Sequence, residues 1–317
     1  MVTSLPPSGR QVELLNGDQR ATVVEVGAGL RTYEVGGVAV LDGYPENRMC
    51  NGGRGQLLLP WPNRIRDGRY EVRREPQQLA LTEPELHHAI HGLARWLPWR
   101  LEQPDAAAVT GRCELPPQPG YPFRLDCRVT YRLGPGGLEV EVALTNRSPR
   151  SAPAGMGAHP YLAPGDGLVD GARLAIPAAR RLVTDERSIP VGSAEVAGGP
   201  YDFRKPRQIA DTVLDTAYTE LTRDADGWVR VELARADGLT LTLSADHAWN
   251  FLQVYTGETL PEPERRRGLA VEPMTCPPNA FNSGEGLRML EPGETFAGVW
   301  RIGVSGTRSS GTGQDGS

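Results

Sequence analysis

RLDCRVTYRL (Arg124–Leu133), GPGG (Gly134–Gly137) and LEVEVALTN (Leu138–Asn146) follow one another without a break. Apolar and polar residues alternate on both sides of a glycine-rich turn, which is the pattern of a β-hairpin. WVRVELARADGLTLTLSAD (Trp228–Asp246) repeats the plan. Its Asp237-Gly238 pair predicts a type I′ turn, because both central residues of that turn need positive φ. RATVVEVGAGLRTYEVGGVAVLDGY (Arg20–Tyr44) adds three short β-rich runs separated by glycines. Period-2 alternation buries one face of each strand, and antiparallel sheets packed face to face satisfy that need. No stretch shows a sustained 3.6-residue period; only Thr82–His88 suggests a short helical turn. The expected fold is all-β, a large antiparallel β-sandwich over residues 1–304. The Gly/Ser-rich tail SGTRSSGTGQDGS (305–317) has no apolar anchor and is expected to be disordered.

Composition narrows the function. The 317 residues carry a net charge of -5, which leaves no basic footprint for nucleic acid or an anionic membrane. Gly 38 and Pro 28 favour turns over long helices. Cys50, Cys113, Cys127 and Cys276 form no CxxC pair, so they read as reduced and mostly buried. There is no apolar run of membrane-spanning length and no apolar signal core in MVTSLPPSGRQVELLNGDQ, so a soluble cytoplasmic protein is expected.

A few stretches break the strand pattern with polar residues. They are LLLPWPNRIRDGRY with Asn63 and Arg64, HHAIHGLARWLPW with His87, His88 and His91, and GAHPYL with His159. VLDTAYTEL sets Asp215 among apolar residues, NFLQVYTG holds Gln253, and GLAVEPMTCPPNAFNSGE holds Glu272 with Pro273 behind it. Each has a plain structural reading. His159 fits a core histidine, His87 and His88 fit a solvated loop, Arg64 a surface arginine, Asp215 a cap and Gln253 a wet strand face. Glu272 resists that treatment, since a charge flanked by apolar residues needs a partner or a task. The proline predicts that the strand ends at Glu272. There is no HExxH, nucleophile elbow, phosphate loop or dinucleotide fingerprint. The histidine spacing 87, 88, 91 has no further ligand nearby, so no metal is expected. A histidine, a carboxylate and several hydrogen-bonding groups suit proton transfer on a polar small molecule.

Six of these pieces, in order, resemble the aldose 1-epimerase (galactose mutarotase) family: PNRI (62–65), HGL (91–93), HPYL (159–162), LDTAY (214–218), QVYTG (253–257) and VEPMTCPPNAFN (271–282). The last is similar to the form of a bacterial subgroup. The resemblance implies the family's supersandwich fold, an open cleft on one sheet, a small-molecule sugar substrate, and no cofactor or metal. It implies that His159 donates a proton to the ring oxygen and that Glu272 takes one from the C1 hydroxyl, the two acting from opposite sides of the ring. It also implies that Arg64, His91, Asp215, Gln253 and, as a weaker match, Asn63 hold sugar hydroxyls. The expected function is anomer interconversion of a free aldohexose by a monomer or weak dimer. Two alternatives stay open: a hexose 6-phosphate or other anionic sugar held by Arg265–Arg267, a run otherwise read as solvated loop charge, and a non-catalytic sugar-binding protein. Trp96, Trp99 and Phe281 read equally as sugar platforms or core. A glycoside hydrolase would need paired carboxylates, and only one is well placed.

Overall fold

Strands Leu125–Gly134 and Gly137–Asn146 pair antiparallel, from Leu125 opposite Asn146 to Gly134 opposite Gly137. Leu125, Cys127, Val129, Tyr131 and Leu133 are buried, and the residues between them are not. Each fully buried Leu or Val stabilises this face by about 1.5–3 kcal/mol relative to exposure. The computed structural model of the chain describes residues 5–308.

The hairpin sits in a nine-stranded sheet, running in order Arg100–Asp105, Ala108–Leu115, Leu125–Gly134, Gly137–Asn146, Thr295–Ser305, Thr240–Ala245, Val229–Ala234, Arg173–Ala175 and Arg207–Gln208. A second sheet of eight strands runs Pro190–Glu195, Ala178–Thr184, Asp215–Leu221, Phe251–Tyr255, Leu269–Met274, Gly157–Ala158 and Leu57–Leu58, with Tyr161–Leu162 also paired to Leu269–Met274. The N-terminal runs form a four-stranded sheet, Gln11–Asn16, Gln19–Val24, Leu30–Val35 and Val38–Ala39. One continuous apolar core joins all three, from Val12 through Val140 and Val271 to Ile302. The described α-helix, Ala280–Ser283, is a single turn. The fold is thus the all-β antiparallel sandwich expected.

Four local expectations are corrected. In the 229–245 hairpin only Gly238 takes positive φ, at 90°, so the turn is not type I′. Its connection spans residues 235–239, and the Asp237 carboxylate accepts from the Leu239 N–H at 3.3 Å, holding a wider turn. The Thr82–His88 segment forms no helix; residues 84–87 make a turn closed by the His87 N–H to Pro84 O bond. Of the expected tail 305–317, Ser305 still pairs with Thr240, and Arg308 lies 3.5 Å from Asp237. Residues 309–317 lie outside the described residues. Of the cysteines, all free, Cys127 and Cys276 are buried, whereas Cys50 and Cys113 are part-exposed.

Candidate active site

The site grows from one strand, Leu269–Met274. Leu269 and Val271 point into the core between the sheets, so Ala270, Glu272 and Met274 point to the opposite face. Glu272 therefore lies inside the strand and not at its end, with 2% exposure. Pro273 does not terminate the strand because the ladder needs no donor there. The Val271 N–H bonds Pro160 O and the Thr275 N–H bonds Met156 O. Residue 273 faces the gap between them, where the neighbouring chain breaks between Gly157–Ala158 and Tyr161–Leu162. His159 occupies that break, so the proline and the histidine are two halves of one local arrangement.

Cross-strand register supplies the next groups. Gln253 pairs with Glu272 and Ala217 pairs with Gln253, so all three share the outer face. Asp215 lies two residues before Ala217, on the same face. It is exposed although its neighbours in sequence are apolar, and its Oδ1 accepts from Gln253 Nε2 at 2.5 Å. Gln253 is only 4% exposed, so it is no wet-face residue.

Loops from the other side close the cleft. Asn63 and His91 both take left-handed backbone, φ 53° and 63°. The Asn63 N–H donates to His91 Nδ1 at 3.2 Å, and the His91 N–H donates to Asn63 O at 2.9 Å. That clamp leaves the His91 proton on Nε2, making it a donor. Asn63 Oδ1 accepts from the Arg64 N–H, so this side chain shapes the loop. Arg64 Nε and Nη2 form a two-pronged ion pair with Glu83 at 2.7 and 2.9 Å. Gly92 has no room for a side chain, since a Cβ would lie 2.0 Å from Leu59 O.

All seven expected site residues line one cavity of about 330 Å³: Asn63, Arg64, His91, His159, Asp215, Gln253 and Glu272. His159 Nε2 lies 3.4 Å from Glu272 Oε1, and both side chains are buried. The two groups thus stand side by side and not across a ring. Glu272 Oε2 is buried without a hydrogen-bond partner among the described residues. Burial, helped by the Asp215 charge and opposed by Arg64, holds the Glu272 carboxyl well above the usual carboxylate range. Burial pushes the His159 imidazole down to about 3, with the Arg95 and Arg54 charges adding to it and a backbone contact opposing. Burial likewise lowers His91. Burial thus works against the charged form of each of the three groups.

Other residues fall outside the expected roles. His87 is exposed and bonded to Asp67, but His88 is fully buried, its Nε2 2.9 Å from Arg187 O, so the two do not share a solvated loop. Arg265–Arg267 is not free loop charge. Arg266, 8% exposed, pairs with Asp170 and Glu258, Arg267 pairs with Asp42, and none of the three lines the cleft. Trp99 and Phe281 are core residues, while Trp96 borders the cleft and is 46% exposed. Sequence reading missed Glu83, Arg95, Tyr255 and the Gly52-Gly53 loop, which also line the cavity. Only the glycine pair carried a visible signal, and it is the residue type a close approach demands: a Cβ on Gly53 would lie 2.6 Å from His159 Cδ2.

Known proteins share this architecture. The crystal structure of the GalM/aldose epimerase homologue from C. elegans superposes with a TM-score of 0.84 at 18% identity, covering 94% of this chain and 99% of that one. Galactose 1-epimerase from Lactobacillus acidophilus NCFM gives 0.79 at 20% identity over 93% and 94%. At these identities the likeness is one of fold. In sequence, the uncharacterized protein YihR of Escherichia coli (strain K12) is 38% identical over 294 residues, 92% of each chain. The family model described as aldose 1-epimerase matches residues 10–303, which takes in all seven cleft residues. By sequence and by fold, this chain belongs to the aldose 1-epimerase family.

Proposed function

We propose that the protein interconverts the α and β anomers of a free aldohexose, with Glu272 and His159 as the proton-transfer pair. The observation that carries the reading is the buried contact of 3.4 Å between them, beside a carboxylate oxygen with no hydrogen-bond partner among the described residues. In ring opening the O1–H proton passes to Glu272, and the O–H electron pair becomes the C1=O bond. The C1–O5 bond breaks, and O5 takes a proton from His159. A half-turn about C1–C2 presents the other face of the aldehyde, and the same steps run backwards. The pair holds one proton throughout; it starts on His159 and ends on Glu272.

Burial favours the carboxyl-held form, which is the form that closes the open sugar. The Arg64 charge acts the other way, toward the ionised carboxylate that opening needs. General acid–base assistance of this kind contributes about 10²–10⁴-fold. Arg64, the His91 Nε2–H, Asp215 and Gln253 supply donors and acceptors for ring hydroxyls, and their fixed geometry lowers the entropic barrier. Asn63 serves through the loop that orients His91 and Arg64. The solved Lactobacillus relative is a galactose 1-epimerase, which makes galactose a first substrate to try.

A second reading, an aldose bearing a phosphate or other acidic group, rests on a different arginine from the run 265–267. Arg95 lines the cleft, stacks on Trp96 at 5.5 Å, and makes no ion pair within 4 Å among the described residues. Polarimetry on freshly dissolved α-D-galactose, α-D-glucose and α-D-glucose 6-phosphate separates the readings. Acceleration of a neutral hexose supports the first. Acceleration of the phosphate alone, lost in Arg95→Ala, supports the second. No acceleration of any sugar, with binding intact, marks a sugar-binding protein.

A further inference from the structure

The proton donor does not stand alone against its wall. His159 is stacked on Tyr161, ring centroids 5.1 Å apart and planes 7° from parallel. The Arg54 guanidinium carbon lies over the Tyr161 ring, 4.7 Å from its centroid. Arg54 is 2% exposed, a buried cation that needs firm anchorage. It has it: Nε and Nη2 both reach Asp42 Oδ2, at 3.2 and 3.1 Å, and Nη1 reaches Asn51 Oδ1 at 3.2 Å. Asp42 Oδ1 in turn accepts from Arg267 Nε at 2.8 Å. The third arginine of the run before the catalytic strand is thus tied into this network. The Tyr161 hydroxyl donates to Gly52 O at 2.7 Å, and Gly53 packs on the imidazole edge.

We infer that Tyr161 and Arg54 are positioning residues for proton transfer by His159: the tyrosine ring fixes the imidazole plane, and the anchored guanidinium keeps the imidazole from holding a resting positive charge. The inference rests on the role proposed above for His159. An aromatic face by itself attracts a cation, so a tyrosine stacked on histidine would favour imidazolium. A fixed guanidinium over the same ring counters that attraction through a low-dielectric interior. The groups facing His159 are Glu272 from its own sheet, His91 edge-on at 5.4 Å, Tyr161, and the Arg54 and Arg95 charges. Of the two cations, Arg54 is the one built into the stack. An imidazolium kept short-lived is a strong acid, suited to handing its proton to O5.

The test uses the full chain and the best anomeric substrate, with His159→Gln as reference. Tyr161→Leu is expected to lower kcat about 10–100-fold, the scale of a misplaced reacting group, with KM within threefold. Arg54→Met is expected to move the acid limb of the kcat–pH profile to higher pH. Arg54→Lys, which keeps the charge and loses the plane, is expected to lower kcat with the limb in place. An inactive His159→Gln beside a Tyr161→Leu within threefold of wild type overturns this inference and spares the proposed function. So does an Arg54→Met profile that drops without shifting. Should Arg54→Met fail to fold, Arg54→Lys with a shifted limb overturns it. A fully active His159→Gln overturns both.

Discussion

Replacing Glu272 with glutamine is expected to stabilise the protein at pH 8 and to leave its stability at pH 4 nearly unchanged. Glu272 is 2% exposed, and one of its oxygens has no hydrogen-bond partner among the described residues. Burial raises the folded carboxyl well above its ordinary range. Between the unfolded pKa, about 4.3 for glutamate, and the raised folded value, the folded chain keeps a proton that the unfolded chain has lost. Stability contributed by that proton is fully present below the lower value and is lost as pH rises through the window. The loss is about 1.4 kcal/mol per pH unit, or about 2 °C of Tm for a chain of this size. Glutamine is isosteric and has no proton to lose, so the variant escapes the loss. Differential scanning calorimetry of both proteins at pH 4, 6 and 8 reads the effect. A Tm difference that does not grow with pH, or a variant less stable at pH 8, would refute the reasoning, because the carboxyl would then be adequately paired when ionised.

Three further outcomes follow from the same geometry. Because burial holds His159 near 3 and Glu272 high, the pair keeps its single proton across mild acid. The rate of anomer exchange is expected to stay level from pH 7 to pH 5 and to fall on the alkaline side as that proton leaves; a tenfold loss by pH 5 would mean an ordinary histidine. Glu83→Gln breaks the two-pronged grip on Arg64 and is expected to cost about tenfold in kcat/KM, the size of a charged hydrogen bond; an unchanged kcat/KM would show that Arg64 needs no such support. Gly53→Ala puts a methyl 2.6 Å from His159 Cδ2 at a φ of +77°, so both kcat and stability are expected to drop, the latter by about 1–3 kcal/mol in thermal or urea unfolding. Wild-type behaviour on both counts would mean that the loop yields.

The sandwich was legible because its hairpins alternate cleanly, as Leu125–Gly134 does, and alternation has only one structural meaning. The cleft residues were legible because six short motifs, HPYL and VEP among them, resemble those of one family in order; read singly, only Glu272 resisted a plain structural account. What misled were features whose meaning depends on the neighbouring strand. Pro273 reads as a strand end until the gap at His159 is seen across from it. His88 reads as solvated until Arg187, far along the chain, covers it. The arginine run reads as loop charge, yet Asp170, Glu258 and Asp42 draw two of its members into ion pairs. Glu83 had no local signal at all, since its role exists only when the turn at residues 84–87 brings it back to Arg64. Tyr161 lay inside a quoted motif, but its stacking on His159 is set by a strand break that no periodicity reports.

The central claim is that Glu272 takes the O1 proton and His159 gives a proton to O5 as the sugar ring opens. NMR exchange spectroscopy on the anomeric protons of α- and β-D-galactose tests it most directly, with Glu272→Gln, His159→Gln and the double variant compared to wild type. The account predicts that each single variant loses about 10²–10⁴-fold, and that the double loses little more than the worse single, as expected of residues that act as a unit. A single variant that keeps its rate within threefold of wild type, or losses that multiply in the double, would contradict it.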